Sequence, residues 1–148
     1  MDLTVSIVIA RPVEVVFAYI SNYEHDSQWR ASVIEMAQTP PGQAHIGTKT
    51  REVARFFGKK RVTPAEITHY EPDRKVAFAG LMANSIPVSG SRTVERIGEQ
   101  ARFIYQAKVE LSGFYLLIEP LMAAILRRRF MRDLRCLKER LEITSKSG

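Results

Sequence analysis

Arg102-Phe103-Ile104-Tyr105-Gln106-Ala107-Lys108-Val109-Glu110-Leu111, followed by Ser112-Gly113, is the stretch on which the fold turns. Phe103, Tyr105, Ala107, Val109 and Leu111 alternate with Arg102, Ile104, Gln106, Lys108 and Glu110, so one side is apolar and the other, Ile104 apart, is wet. Successive side chains of a strand point to opposite faces, and this period of two therefore marks a strand with one face buried. An antiparallel sheet can leave a face in water, whereas a parallel one is covered on both sides by crossover helices. After Gly113 the period changes. Phe130, Leu134, Leu137 and Leu141 recur at intervals of four, three and four, which is one stripe of a helix.

Upstream, turn chemistry interrupts the chain five times between residues 33 and 111: at Thr39-Pro40-Pro41-Gly42, Phe57-Gly58-Lys59-Lys60, Glu71-Pro72-Asp73-Arg74, Ala83-Asn84-Ser85 and Ile97-Gly98-Glu99-Gln100. Six strands joined by short turns follow, an antiparallel meander. Leu3, Val5, Ile7 and Ile9 alternate in an opening strand. Pro12, whose fixed φ suits the first helical position, precedes Val13, Val16, Phe17 and Ile20 on one face, predicting a short helix over 12–21. The polar run from Asn22 to Gln28 before Trp29, the sole tryptophan, predicts a loop or a second short helix. The terminal helix is expected to run to about Thr144, with Ser145 to Gly148 frayed. Its first half, Phe114 to Leu126, carries only Glu119 as a charge, and Pro120 is expected to start or kink the regular helix.

At 148 residues, 45% hydrophobic and 26% charged, the chain reads as one globular domain over residues 1–148. A domain of this size buries about 70% of its unfolded surface and needs no staples. Cys136 alone excludes a disulfide framework and a cysteine zinc site. Neither a signal segment nor a run of 18 apolar residues occurs, so the expected location is cytoplasmic. The net charge of +6 is uneven: residues 127–146 carry eight basic and three acidic side chains, the remainder 14 against 13. A nucleic-acid partner is therefore not expected, and any anionic partner should meet the C-terminal helix.

The order strand, short helix pair, meander, long helix resembles the START-like, or helix-grip (SRPBCC), superfamily, which includes polyketide cyclase/dehydrase-like proteins and lipid-transfer domains. Nearly the whole chain takes part. Ala10-Arg11-Pro12-Val13-Glu14-Val15-Val16-Phe17 looks like the family's strand-to-helix entry, and Trp29 sits where an aromatic often follows its first helix. Ile46-Gly47, Ile67-Thr68-His69-Tyr70-Glu71-Pro72-Asp73-Arg74 and Leu137-Lys138-Glu139-Arg140-Leu141-Glu142 look like its punctuation. The resemblance implies an α+β helix-grip fold: a seven-stranded curved antiparallel sheet wrapped around a long C-terminal helix, with two short helices after strand 1. It constrains function loosely, because the superfamily hosts carriers and enzymes alike.

A strongly curved sheet gripping one helix cannot fill its interior with side chains, so an apolar cavity is expected between them. The residues expected to line it are Trp29, Val76, Phe78, Phe103, Tyr105 and Ala107, with Leu116, Ala123, Leu126 and Phe130 from the helix; plain core packing is the alternative for each. The expected ligand is an apolar small molecule such as a lipid, quinone or polyketide. The alternative function is a polyketide cyclase or dehydratase-like enzyme using the same space.

Catalytic motifs are lacking. There is no His-Glu-x-x-His, no Gly-x-Ser-x-Gly and no cysteine pair, and His25, His45 and His69 stand at no metal-ligand spacing, so no metal or cofactor is expected. Gly42 to Lys49 falls short of a P-loop because Thr48 and Lys49 are in the wrong order. His25 beside Asp26 is the least poor acid–base pair. Glu66 and Arg92 fall within strands and are expected in solvent; an inward register would make either an anchor for a ligand's polar end. At 100° per residue, Leu117, Leu121 and Ile125 project on roughly the same side as Arg128, Arg132 and Arg135. That outer face is expected to be either a solvated basic surface or a docking surface for an anionic membrane or an acidic protein.

Overall fold

The computed structural model describes residues 1–146. β1 (Asp2–Ile9) leads into α1 (Val13–Ile20), a 3-10 turn (Tyr23–His25) and α2 (Asp26–Trp29). The meander follows as β2 (Val33–Thr39), β3 (Lys49–Phe56), β4 (Lys59–Glu71), β5 (Lys75–Met82), β6 (Ile86–Ile97) and β7 (Gln100–Val109), and α3 (Phe114–Lys146) closes the chain. Each of the five expected breaks separates two strands. The order is β1-β7-β6-β5-β4-β3-β2, antiparallel throughout, so β1 and β2 are the edges of one seven-stranded sheet. This is the helix-grip fold.

The register identifies the inner face. Val5 pairs with Tyr105, Tyr105 with Arg92 and Arg92 with Val76, and Ile7, Phe103 and Val94 form the next row. Small residues let the sheet curl here. A Cβ on Gly80 would lie 2.2 Å from the Pro64 carbonyl oxygen, and one on Gly90 would lie 2.6 Å from the Phe78 ring. The β4–β5 ladder runs from Glu71↔Lys75 to Ala65↔Gly80, next to Pro64, whose nitrogen has no hydrogen to give. Beyond it the Ala83 N–H still reaches the Val62 carbonyl at 3.0 Å.

Helix α3 begins at Phe114, so Pro120 lies inside it and does not start it. Ser147 and Gly148, part of the expected frayed end, lie outside the described residues. Phe130, Leu134, Leu137 and Leu141 are all buried, as their spacing requires. The second half of α3 is clamped to the end of β1: Lys138 Nζ donates to the Val8 carbonyl at 2.8 Å, and the Ala10 N–H donates to Glu142 Oε2 at 2.9 Å. Arg11 also reaches the Leu141 carbonyl at 2.8 Å. The first half is tied to the chain's first residue, Glu119 Oε1 lying 2.9 Å from the Met1 ammonium, and a hollow opens beneath it.

Candidate ligand cavity and buried arginine network

The interior has two zones. In the middle of the sheet the space is filled. Arg92, on β6, is fully buried, with its guanidinium carbon 4.0 Å from the Tyr23 ring centroid, 5.4 Å from Trp29 and 5.5 Å from Tyr105. Its Nη1 donates to Asp26 Oδ1 at 2.9 Å and to the Ile20 carbonyl at 2.8 Å, while Nη2 donates to Asp26 Oδ2. Arg30 Nη1 donates to Asp26 Oδ2 at 3.0 Å and to Glu52 Oε1 at 2.6 Å. A buried charge survives only when paired and hydrogen-bonded. Burial alone would lower the Arg92 pKa; the Asp26 charge, Tyr23 and the Asp26 hydrogen bonds outweigh it and raise the pKa above the ordinary arginine value. Burial pushes the Tyr23 phenol up.

Two sequence expectations are corrected here. Arg92 is not in solvent but at the centre of the core, while Glu66 is exposed as expected. His25 and Asp26 do not form an acid–base pair: Asp26 turns inward to the two arginines, and His25 stacks on Tyr19 at 4.3 Å with its Nδ1 2.9 Å from the Tyr19 carbonyl. A void of about 20 Å³, room for about one water, borders Tyr23, Arg92, Thr50 and Thr63. Among the described residues, Tyr23 Oη and Arg92 Nε have no hydrogen-bond partner.

The second zone is hollow. A cavity of about 410 Å³ lies between the first half of α3 and the tips of the β3–β4 and β5–β6 hairpins, within the 300–1,000 Å³ range of small-molecule sites. Ile118, Met122, Ile125, Leu126 and Phe130 form its helical wall, and Phe56, Phe57, Met82, Ile86, Val109 and Leu111 face them. Lys59, Arg61 and Tyr115 supply its titratable groups.

Of the residues expected to line a cavity, Leu126 and Phe130 do so. Trp29, Val76, Phe103 and Tyr105 are buried in the filled zone, Phe78 packs edge-on against Tyr23, and Ala107 and Ala123 pack against the same core. Leu116 is 54% exposed and does not border the cavity. On the outer face Leu117 is 80% exposed and Arg128, Arg132 and Arg135 are exposed, but Ile125 turns into the cavity and Leu121, 64% exposed, sits at its rim. Most of the lining was missed by the sequence reading: Phe56, Phe57, Met82, Ile86, Val109 and Leu111 lie at or just beyond strand ends, which carry no signal of a cavity, whereas Ile118 and Met122 were reachable by continuing the Phe130 stripe backwards in steps of four through Leu126. A segment apolar on nearly every face hides that phase.

Asp133, on α3, is buried and accepts the Ala31 N–H at 3.2 Å. Burial raises its pKa against the opposing Ala31 hydrogen bond and the charges of Arg30 and Arg132. A raised native pKa means that the folded state keeps a proton the unfolded chain releases. Its favourable contribution is complete below the unfolded pKa and is lost as pH climbs through the raised one. Asp133→Asn keeps the acceptor without the charge. Urea unfolding should therefore show the variant gaining on the wild type between acidic and neutral pH; a constant difference would contradict the assignment.

The fold is that of a helix-grip domain, with an apolar hollow under the first half of its long helix. The chain belongs to the polyketide cyclase / dehydrase and lipid transport family, whose pattern it matches over residues 1–142. Solved structures agree on the fold. A protein from Thermus thermophilus is similar at 19% identity and TM-score 0.82, covering 98% of this chain and 99% of that one. A START superfamily protein from Mycobacterium smegmatis is similar at 12% identity and TM-score 0.75, covering 97% and 98%. The Zhui aromatase/cyclase from a Streptomyces species is similar at 13% identity and TM-score 0.74, covering 96% and 93%. No curated protein matches the sequence. Among the described residues no helix is long and apolar enough to cross a membrane, and no three metal-ligating side chains cluster.

Proposed function

We propose that this protein binds an apolar small molecule of lipid, quinone or polyketide-like character in the chamber under the first half of α3. The observation that carries the reading is the 410 Å³ cavity whose walls are apolar apart from Lys59, Arg61 and Tyr115. Apolar surface left unfilled in a domain otherwise packed around Phe103 and Leu134 is surface kept for a guest. A cyclase-like reaction in the same space is the alternative. The lining offers neither carboxylate nor imidazole to move a proton, which supports binding over catalysis. Native mass spectrometry after gentle purification tests this. The wild type should retain an apolar compound, and Met122→Trp/Ile118→Trp, which narrows the chamber from its helical wall, should retain less of it while staying folded. Protein that retains nothing and shows no saturable uptake of an apolar probe would defeat the reading.

A second reading, docking of the same end on an anionic bilayer, is favoured by exposure of apolar side chains around the chamber's mouth. Phe114 is 68% exposed, beside Leu117 and Leu121, and Arg128, Arg132 and Arg135 follow along the helix. Buried apolar contacts would add to about 1 kcal/mol per arginine near anionic lipid. Vesicles rich in phosphatidylserine should sediment the protein and phosphatidylcholine vesicles should not, with Leu117→Ser/Leu121→Ser losing the difference. Equal sedimentation with both lipids would count against it.

A further inference from the structure

Beside the apolar chamber lies a second hollow of about 270 Å³, bordered by Ala31, Ser32, Arg55, Phe57, Gly58, Arg129, Arg132 and Asp133. Arg55 from β3 and Arg129 and Arg132 from α3 border it together with one carboxylate, Asp133, which accepts the Ala31 N–H. Arg55, Lys59, Arg61 and Arg129 form no ion pair among the described residues. Arg129 instead lies over the Phe57 ring at 5.1 Å from its centroid. Phe57 is the shared wall: it lines both the basic hollow and the apolar chamber. It also holds a left-handed backbone, φ 51°, in a turn where asparagine or glycine is at ease and a bulky aromatic is strained. Strain of that kind persists where a side chain is needed at that spot. Lys59 and Arg61 continue the positive rim along the chamber's opening.

We infer that the chamber takes an amphiphile: an apolar body under α3, and an anionic head, carboxylate or phosphate monoester, held past Phe57 by Arg55, Arg129 and Arg132. The inference rests on the chamber being a ligand site. Planar guanidiniums suit both head groups because they donate two parallel hydrogen bonds to a pair of oxygens. Hydrogen bonds to charged groups are strong enough to separate an anionic ligand from its neutral counterpart by about tenfold or more.

Calorimetric titration of the full chain with dodecanoate, dodecyl phosphate, dodecanol and inorganic phosphate tests it. Dodecanoate, dodecyl phosphate or both should bind about tenfold or more tightly than dodecanol, and the preference should shrink with added salt. Arg55→Gln/Arg129→Gln/Arg132→Gln should bring the anionic ligands down to the dodecanol affinity while leaving dodecanol itself unchanged, which also reports an intact chamber. If all three chain-bearing ligands bind equally well to the wild type, the head site is refuted and the chamber stands. If none binds, the chamber reading falls and takes this inference with it. Inorganic phosphate binding as tightly as the anionic amphiphiles would make the hollow an anion site unconnected to the chamber, and would likewise overturn the proposal.

Discussion

Asp26→Ala should destabilise the protein by about 3–5 kcal/mol, the usual result of removing one partner from a buried ion pair. The carboxylate serves two arginines at once, Arg92 through both oxygens and Arg30 through Oδ2. Without it Arg30 keeps Glu52, but Arg92 is left with the Ile20 carbonyl and three aromatic faces. An arginine cannot shed its proton to escape, because its pKa lies far above neutrality. Cation–π contacts of about 2 kcal/mol when desolvated do not replace a bidentate carboxylate. Against a typical total stability of about 5–15 kcal/mol, the variant should show a much lower urea midpoint with an unchanged slope. The double variant Asp26→Leu/Arg92→Met removes both charges and should recover most of the loss. Strict additivity of the two single changes, or a loss below about 1 kcal/mol for Asp26→Ala, would show that the pair does not hold the core.

A second large effect should come from Phe103→Ala, with a contrast built in. Phe103 is fully buried and meets Trp29 edge-on at 6.1 Å and Tyr105 at 6.2 Å. Its removal opens a hole where neighbours on all sides are packed, costing about 3–5 kcal/mol. Leu126 is nearly as buried but forms one wall of the chamber. Truncating it enlarges space that already exists, and fewer contacts are lost, so Leu126→Ala should cost about 2 kcal/mol, the low end for its type. Denaturant titrations of the two variants compare the zones directly. Leu134→Ala, at a fully buried leucine of the filled zone, is the like-for-like reference at about 3–5 kcal/mol; a Leu126→Ala penalty equal to it would mean that the interior is uniformly packed and that the chamber is not a distinct space.

The buried arginine was legible in part. Ser89, Ser91 and Thr93 alternate with Gly90, Arg92 and Val94 in β6, and Val94 is buried, so the period of two places Arg92 on the inner face. What overrode that signal is the cost of burying a charge, which is prohibitive until a partner is known. The partner, Asp26, stands 66 residues away, and no local pattern announces it. The exposure of Leu116 was illegible for a different reason. Between Phe114 and Leu126 nearly every residue is apolar, so composition does not say which face is inward, and helix phase must be carried back from Phe130. The charged second half of α3 has no such ambiguity, and its stripe of Phe130, Leu134, Leu137 and Leu141 is buried as read.

The strands, the turns between them, the short helix after Pro12 and the terminal helix were settled by the chain itself, because periodicity and turn chemistry are properties of neighbouring residues. Where the interior is filled and where it is hollow was settled only by tertiary structure. That division depends on Arg92 meeting Asp26, on β4 curling past Gly80, and on the first half of α3 standing over two hairpin tips. Each of these joins segments distant in sequence, and packing between them is a matter of volume and register that no single segment encodes.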